Sequence, residues 1–348
     1  MEKLATRLRV WAAQPLAFAA LIYGGRFGLR LGAGLPCFAC PYVAGCGGQC
    51  YLMGLQGVYG FGMEWSALFG MAGLRALGWL AVFTLLAAPF GKFWCGWACP
   101  FGTLSDWIGG LRRRLGLRGD RLSPLGRPRL GWVRYALLVL LAAIPPLVTA
   151  GALPRDFYLP FCNICPGKSL LPLFAGDASH LAFNASNAVT AAFSTLLLAG
   201  TGVTLVGLFV RHRFFCHFCP MLALLHLLGP LGPLLAKRPD RCAGCARCRR
   251  QCAMEVESVH AEKARTEVRD GACVGCLRCA ETCPSDGARP NPHRPVPTAV
   301  LPPRPRPRPV CRVPCAASLS HVPRPTSHRP VTPSPWMTSP QVRVCGVP

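Results

Sequence analysis

Acidic side chains are scarce in this sequence: Asp and Glu number 14 against 38 Lys and Arg, and charged residues fill only 15% of the 348 positions. Soluble domains run near 25% charged. The deficit, beside 51% hydrophobic residues and a mean hydropathy of +0.33, points to a membrane protein. Other absences narrow the chemistry. There is no Cys-x-x-Cys-His, so no c-type haem is expected. The clear apolar runs hold no histidine, which argues against a haem held between two intramembrane histidines. Neither a dinucleotide glycine fingerprint nor a P-loop is present, so flavin or nicotinamide binding by this chain alone has no support.

What is present falls into three regions. Residues 1–236 are apolar and Gly-rich, and candidate transmembrane helices lie near 10–31, 68–90, 134–153 and 187–210. Asn187–Val210 is 24 residues without a charge, and Tyr135–Leu153 gives 19 more around Pro145 and Pro146. A bilayer core needs about 20 apolar residues. Val10–Gly25 reaches that length only if Arg26 and Arg30 extend to the far surface. Lys92–Arg134 carries nine basic residues, whereas the loops 26–67 and 154–186 carry two each. The positive-inside rule then puts both termini and the 92–134 loop in the cytoplasm. Much of the +24 formal charge is thereby topological, and nucleic acid is not an expected partner. Residues 287–348 hold 17 prolines and nine arginines with no Lys, Asp or Glu. They read as a disordered tail or as a frameshifted stretch, and Cys311, Cys315 and Cys345 receive no role.

The 21 cysteines carry the chemistry. In residues 237–286, Cys242-x2-Cys245-x2-Cys248-x3-Cys252 recurs as Cys273-x2-Cys276-x2-Cys279-x3-Cys283-Pro284. Three cysteines at three-residue spacing wrap one corner of a cubane, and the fourth of each run closes the other cluster. One [4Fe–4S] cluster is assigned to Cys242, Cys245, Cys248 and Cys283, the other to Cys273, Cys276, Cys279 and Cys252. A pair of zinc sites would show two separated CxxC pairs rather than a run of four. The expected architecture is an α-helical polytopic membrane protein of about four transmembrane helices with a small α+β ferredoxin-like domain.

Five further groups flank the apolar spans: Cys37/Cys40, Cys46/Cys50, Cys95/Cys99, Cys162/Cys165 and Cys216/Cys219. The topology puts Cys95, Cys99, Cys216 and Cys219 at the inner surface and the other six at the outer one, about 30 Å away across the hydrocarbon core. These thiols could hold a further metal centre, form dithiol couples or, on the outer side, become disulfides. Phe93-Trp94-Cys95-Gly96-Trp97-Ala98-Cys99-Pro100-Phe101-Gly102 resembles the CxxxCP signature of NapH/NosR-type membrane ferredoxin proteins, and Cys216–Pro220 is similar to their second motif, with CxxCP in place of CxxxCP. The resemblance covers about residues 65–286. It implies a multi-pass protein of the bacterial inner membrane that relays electrons between the quinone pool and a redox partner protein, as the electron-transfer subunit of a quinol-linked oxidoreductase. The competing reading is a metalloenzyme assembly or thiol-redox maturation factor; a plain membrane anchor is a third.

Overall fold

The computed structural model describes residues 8–32, 34–60, 70–116, 131–228, 235–237, 241–242, 244–261, 267–268, 270–285 and 288–290. The chain separates into two units, Met1–Arg304 and Pro305–Pro348. Of the tail expected over 287–348, residues 288–290 are described, and the rest, with its three cysteines, lies outside the described residues.

In the first unit a π-helical turn, Arg9–Ala13, leads into α1 (Gln14–Tyr23), followed by α2 (Tyr51–Gly60), α3 (Met71–Phe90), α4 (Phe93–Trp97), α5 (Pro100–Arg114) and α6 (Val133–Thr149). Then come α7 (Pro160–Ile164), α8 (Pro166–Leu173), α9 (Ala188–Val210) and α10 (Pro220–Leu227). The cysteine-dense end holds α11 (Arg247–Gln251), α12 (Ser258–Ala261) and α13 (Arg278–Thr282). A short antiparallel sheet joins it, with β1 (Leu235–Lys237) central between β2 (Glu267–Val268) and β3 (Ala288–Pro290). The ferredoxin-like module therefore draws backbone from both sides of 237–286. Its last strand comes from the stretch whose composition suggests disorder, because β1 offers those residues a hydrogen-bonding edge.

Two described helices are long and apolar enough to cross a membrane, Gly73–Phe90 within α3 and Ala188–Val210, which is α9. Burial distinguishes them from core helices, since only 18% and 22% of those windows is covered by protein. A helix that is apolar all round and left bare needs an apolar surrounding. α9 starts sharply because Asn187 Oδ1 accepts the Thr190 N–H at 2.7 Å while Thr190 Oγ1 accepts the Asn187 N–H at 3.0 Å, a reciprocal cap. α6 is a shorter apolar helix of 17 residues with Pro145 and Pro146 inside it. The first expected span, 10–31, is helical only to Phe27, and Gly28 at φ +78° ends it.

Beyond α1 the chain folds inward. Leu35–Cys40 is buried without forming helix or strand, and the Phe38 ring stands edge-on to Phe101, Phe161 and Phe215 at 5.5, 6.5 and 5.6 Å.

One carboxylate ties these parts together. Asp106 of α5, 4% exposed, takes Arg9 Nη1 (3.0 Å), Gln14 Nε2 (2.7 Å) and Arg213 Nη2 (2.7 Å) on Oδ2, with Arg278 Nη2 (3.1 Å) and His212 Nε2 (2.9 Å) on Oδ1. Arg9, Gln14 and Arg213 also donate to the Gly96 carbonyl, at 3.2, 3.0 and 3.4 Å, and Arg213 to that of Cys95 at 3.0 Å. Burial alone would raise the Asp106 pKa. Arg213, the His212 hydrogen bond and Arg278 outweigh it and hold the carboxyl well below its usual range. His212 moves the other way, to about 4, because burial prevails over its bond to Asp106. It is therefore a neutral ring whose Nε2–H donates.

Asp106→Asn leaves three guanidinium groups facing a neutral amide and should cost about 3–5 kcal/mol. Thermal unfolding in detergent should show a clearly lowered midpoint; an unchanged midpoint would contradict the assignment. Because the Asp106 pKa is depressed, its contribution is complete above the unfolded value of about 3.9 and disappears only as pH falls further. The gap between wild type and variant should hence be constant from about pH 8 to about pH 5, which the same melts measure.

Candidate metal centres

The cysteines occupy three successive layers of one unit. The first is the twin motif. In each run a residue forced into the left-handed region opens a short helix, and the closing cysteine is extended. Ala246 (φ 54°) precedes α11 and Cys252 (φ −69°, ψ 117°), while Leu277 (φ 58°) precedes α13 and Cys283 (φ −75°, ψ 114°). α11 packs on α13. Burial raises the Cys248 pKa, the Arg249 N–H opposes it, and the nearby thiols of Cys242, Cys283 and Cys245 add to it. For Cys279, burial is followed by Cys273, Cys276 and Cys252. Cys248 thus lies near Cys242, Cys245 and Cys283, and Cys279 near Cys273, Cys276 and Cys252.

The second layer gathers Cys95, Cys99, Cys216 and Cys219 around one cavity of about 20 Å³, walled by Phe38, Phe101, Phe215 and Val274. Val274 belongs to the Cys273–Cys276 loop, so this layer touches the first. A Cβ on Gly96 would meet the Val274 carbonyl at 2.6 Å and the Cys276 backbone at 3.2 Å, so only glycine allows the two loops to approach so closely. Trp97 Nε1 donates to the Gly275 carbonyl at 3.3 Å, and Lys92 Nζ to that of Asp270 at 2.6 Å.

The third layer places Cys40, Cys50, Cys162 and Cys165 around a second cavity of about 20 Å³, beside Phe38, Phe161, Tyr42 and Lys168. Cys37 and Cys46 do not line it. Cys37 packs with Leu21, Leu35 and Ala39, against Trp94 and Cys99. Phe38 is a wall of both cavities. The separation of about 30 Å expected between inner and outer groups is therefore corrected to one aromatic side chain. The physical reason is that the 35–40 loop and α7 fold back into the protein, whereas hydropathy counting assumes that each loop stays at its surface.

The donor set suits iron–sulfur clusters. The sulfurs are soft ligands in an apolar shell, and among the described residues no three or more His, Cys, Asp or Glu converge closely enough for a single metal ion. A lone zinc ion would draw its sulfurs to about 2.3 Å from one point, whereas a four-iron core needs them spread. The room is not ready-made, since a 20 Å³ void holds little more than a water, so the walls must part on loading. Charge also fits. The hub sets Arg9, Arg213 and Arg278 against one Asp106 carboxylate, an excess of buried positive charge. Arg213 is felt by Cys216 and Cys276, whose thiolates around a cluster would balance it.

Sequence reasoning missed Asp106, Arg9, Gln14, Arg213 and Phe38. The signal was present as single charged or amide residues inside apolar stretches, where one partner implies another. Arg278 of α13 reaches Asp106, and Arg249 of α11 pairs with Glu257 at an exposed site.

Comparison with known families gives two matches. A family described as "4Fe-4S binding domain" matches residues 69–118 and 192–239, and one described as "4Fe-4S dicluster domain" matches 234–284. Neither the curated proteins nor the solved structures give a match. The first family covers both Cys95/Cys99 and Cys216/Cys219, and the second covers all eight cysteines of the twin motif. The chain is accordingly an iron–sulfur protein of the ferredoxin type.

Proposed function

We propose that the protein is a multi-pass carrier in the bacterial inner membrane, with both termini cytoplasmic, relaying single electrons between the quinone pool and a partner protein. The observation that carries this reading is the contact of the Cys95–Cys99 segment with the Cys273–Cys276 loop through Gly96. A module merely anchored to a membrane would not need its cluster loop seated against four more thiols. The two runs would hold [4Fe–4S] clusters with the pairing given by spacing, and Cys95, Cys99, Cys216 and Cys219 would hold another. Such clusters, when bound, supply one-electron redox chemistry.

The chain's own residues do the rest. Phe38, Phe101 and Phe215 keep water from the inner thiols. Lys92, beside Cys273 and Cys95, and Arg213, beside Cys216, place positive charge where negative charge would gather. An open groove of about 1,220 Å³ runs between Val10, Trp11, Pro15, Trp107 and Leu111 on one side and Arg247, Gln251, Arg278 and Glu281 on the other. Its apolar wall and polar rim suit a quinone head group, and α11 and α13 on its edge carry Cys248 and Cys279. A thiol-exchange or maturation role has less support. Cys95, Cys216 and Cys219 are buried beside an enclosed cavity, where a partner thiol from solvent does not reach them.

Anaerobic protein reacted with a short-chain quinol should show cluster reduction, and Trp11→Ala with Leu111→Arg in the groove should slow it at least about tenfold while iron content is retained. A quinol response unaffected by both substitutions would remove the groove from the path; no response at all in the loaded protein would overturn the quinone reading.

A further inference from the structure

We propose that Cys40, Cys50, Cys162 and Cys165 ligate an additional [4Fe–4S] cluster, at a site that neither matched family covers. The inference goes beyond the proposed relay and stands on its own residues.

Backbone conformation is the first argument. Among the described residues only five other than glycine have positive φ, and four of them stand six positions before a cysteine that closes a short helical turn. Ala246 precedes Cys252 and Leu277 precedes Cys283 in the twin motif, and Arg213 (φ 57°) precedes Cys219 in the inner layer. Leu159 (φ 58°) precedes Cys165 in the same way, with α7 between them and Cys165 extended at φ −78°, ψ 122°. A left-handed leucine costs about 1 kcal/mol or more. The cost recurs where a chain must wrap a compact object, and Leu159 pays it at the outer layer as Leu277 does in the ferredoxin module.

Hydrogen bonding is the second argument. Two of the four sulfurs are hydrogen-bonded by an N–H, and the other two have backbone N–H groups near them. Gln56 Nε2 lies 3.6 Å from Cys162 and Gly167 N lies 3.3 Å from Cys165, while the Tyr42 N–H is near Cys40 and those of Leu52 and Met53 are near Cys50. The twin motif shows the same pattern, with Val256 N 3.3 Å from Cys252 and backbone N–H groups near Cys248, Cys273 and Cys279. A neutral thiol is a weak acceptor, whereas cluster-bound thiolates are stabilised by such donors.

Charge and enclosure complete the site. Lys168 acts on Cys40 and Cys162 and lies 4.9 Å over the Tyr42 ring, with Asn163 Oδ1 at 3.4 Å. On loading, four bonds would form between these sulfurs and the irons of a preassembled [4Fe–4S]²⁺ core as the four bonds to its carrier's thiolates break, and the four thiol protons would pass to the departing thiolates or to solvent. No electron is gained or lost, and the site would end with two negative charges that Lys168 partly offsets.

The test is iron and acid-labile sulfide per chain in anaerobically purified full-length protein, with low-temperature Mössbauer spectra. Four clusters correspond to about 16 iron. Cys162→Ser with Cys165→Ser should bring the count to about 12, Cys50→Ser alone should lower it or alter one quarter of the spectrum, and Cys37→Ser should change nothing. Should the double variant fail to fold, Cys50→Ser decides. Wild-type iron retained in the double variant and in Cys50→Ser, with an unaltered spectrum, would overturn the proposal. Cys95→Ser with Cys99→Ser separates the two claims. A wild-type count of about 12 that falls only with this pair sinks the outer site and leaves the inner one. A count of about 12 that falls only with the Cys162/Cys165 pair does the reverse.

Discussion

Asp106 accepts hydrogen bonds from five side chains that come from the first helical segment, the turn after α9 and the ferredoxin-like module. A buried carboxylate is tolerable only when it is fully paired, and each of these groups is itself too polar to stay buried alone. Their mutual dependence fixes α1, α5, the residue 211–217 turn and α13 in one arrangement. The position of the Gly96 carbonyl, shared by Arg9, Gln14 and Arg213, follows from it. That in turn sets the Cys95–Cys99 segment against the Cys273–Cys276 loop.

Around this anchor the chain reuses one local device. A left-handed residue, a helical turn and an extended cysteine recur at the inner layer, the outer layer and both halves of the twin motif. A following proline marks three of the four, at Pro166, Pro220 and Pro284, and Ala253 stands in its place after Cys252. Proline suits the first position of the helix that follows, as at α8 and α10, because its missing N–H has no intrahelical partner there. Neighbouring layers share walls, with Val274 of the first lining the second and Phe38 lining both the second and the third.

The twin motif was legible because its ligands are local: three-residue spacing on a short segment encodes the grouping directly. The apolar character of α3 and α9 was legible for the same reason. The layering was not, since it depends on contacts between positions as distant as Phe38 and Phe215, and hydropathy counts assign the Cys37–Cys50 and Cys162–Pro166 loops to a surface without asking whether they return. The first helical segment was misjudged in length because Arg26 and Arg30 were placed on a continuing helix, whereas Gly28 at φ +78° ends it. β3 was hidden by composition, since Ala288–Pro290 offers no side-chain pattern and pairs through backbone alone.

The central claim is that the cluster loop of the ferredoxin-like module and the inner four thiols are immediate neighbours within one rigid arrangement. Electron paramagnetic resonance of the fully reduced protein tests it most directly, because paramagnetic centres in contact broaden and split one another's signals. The account predicts a magnetically coupled spectrum that resolves into simple, uncoupled ferredoxin signals when Cys95 and Cys99 are both replaced by serine. Sharp, uncoupled signals in the wild-type protein carrying its full complement of iron would contradict it.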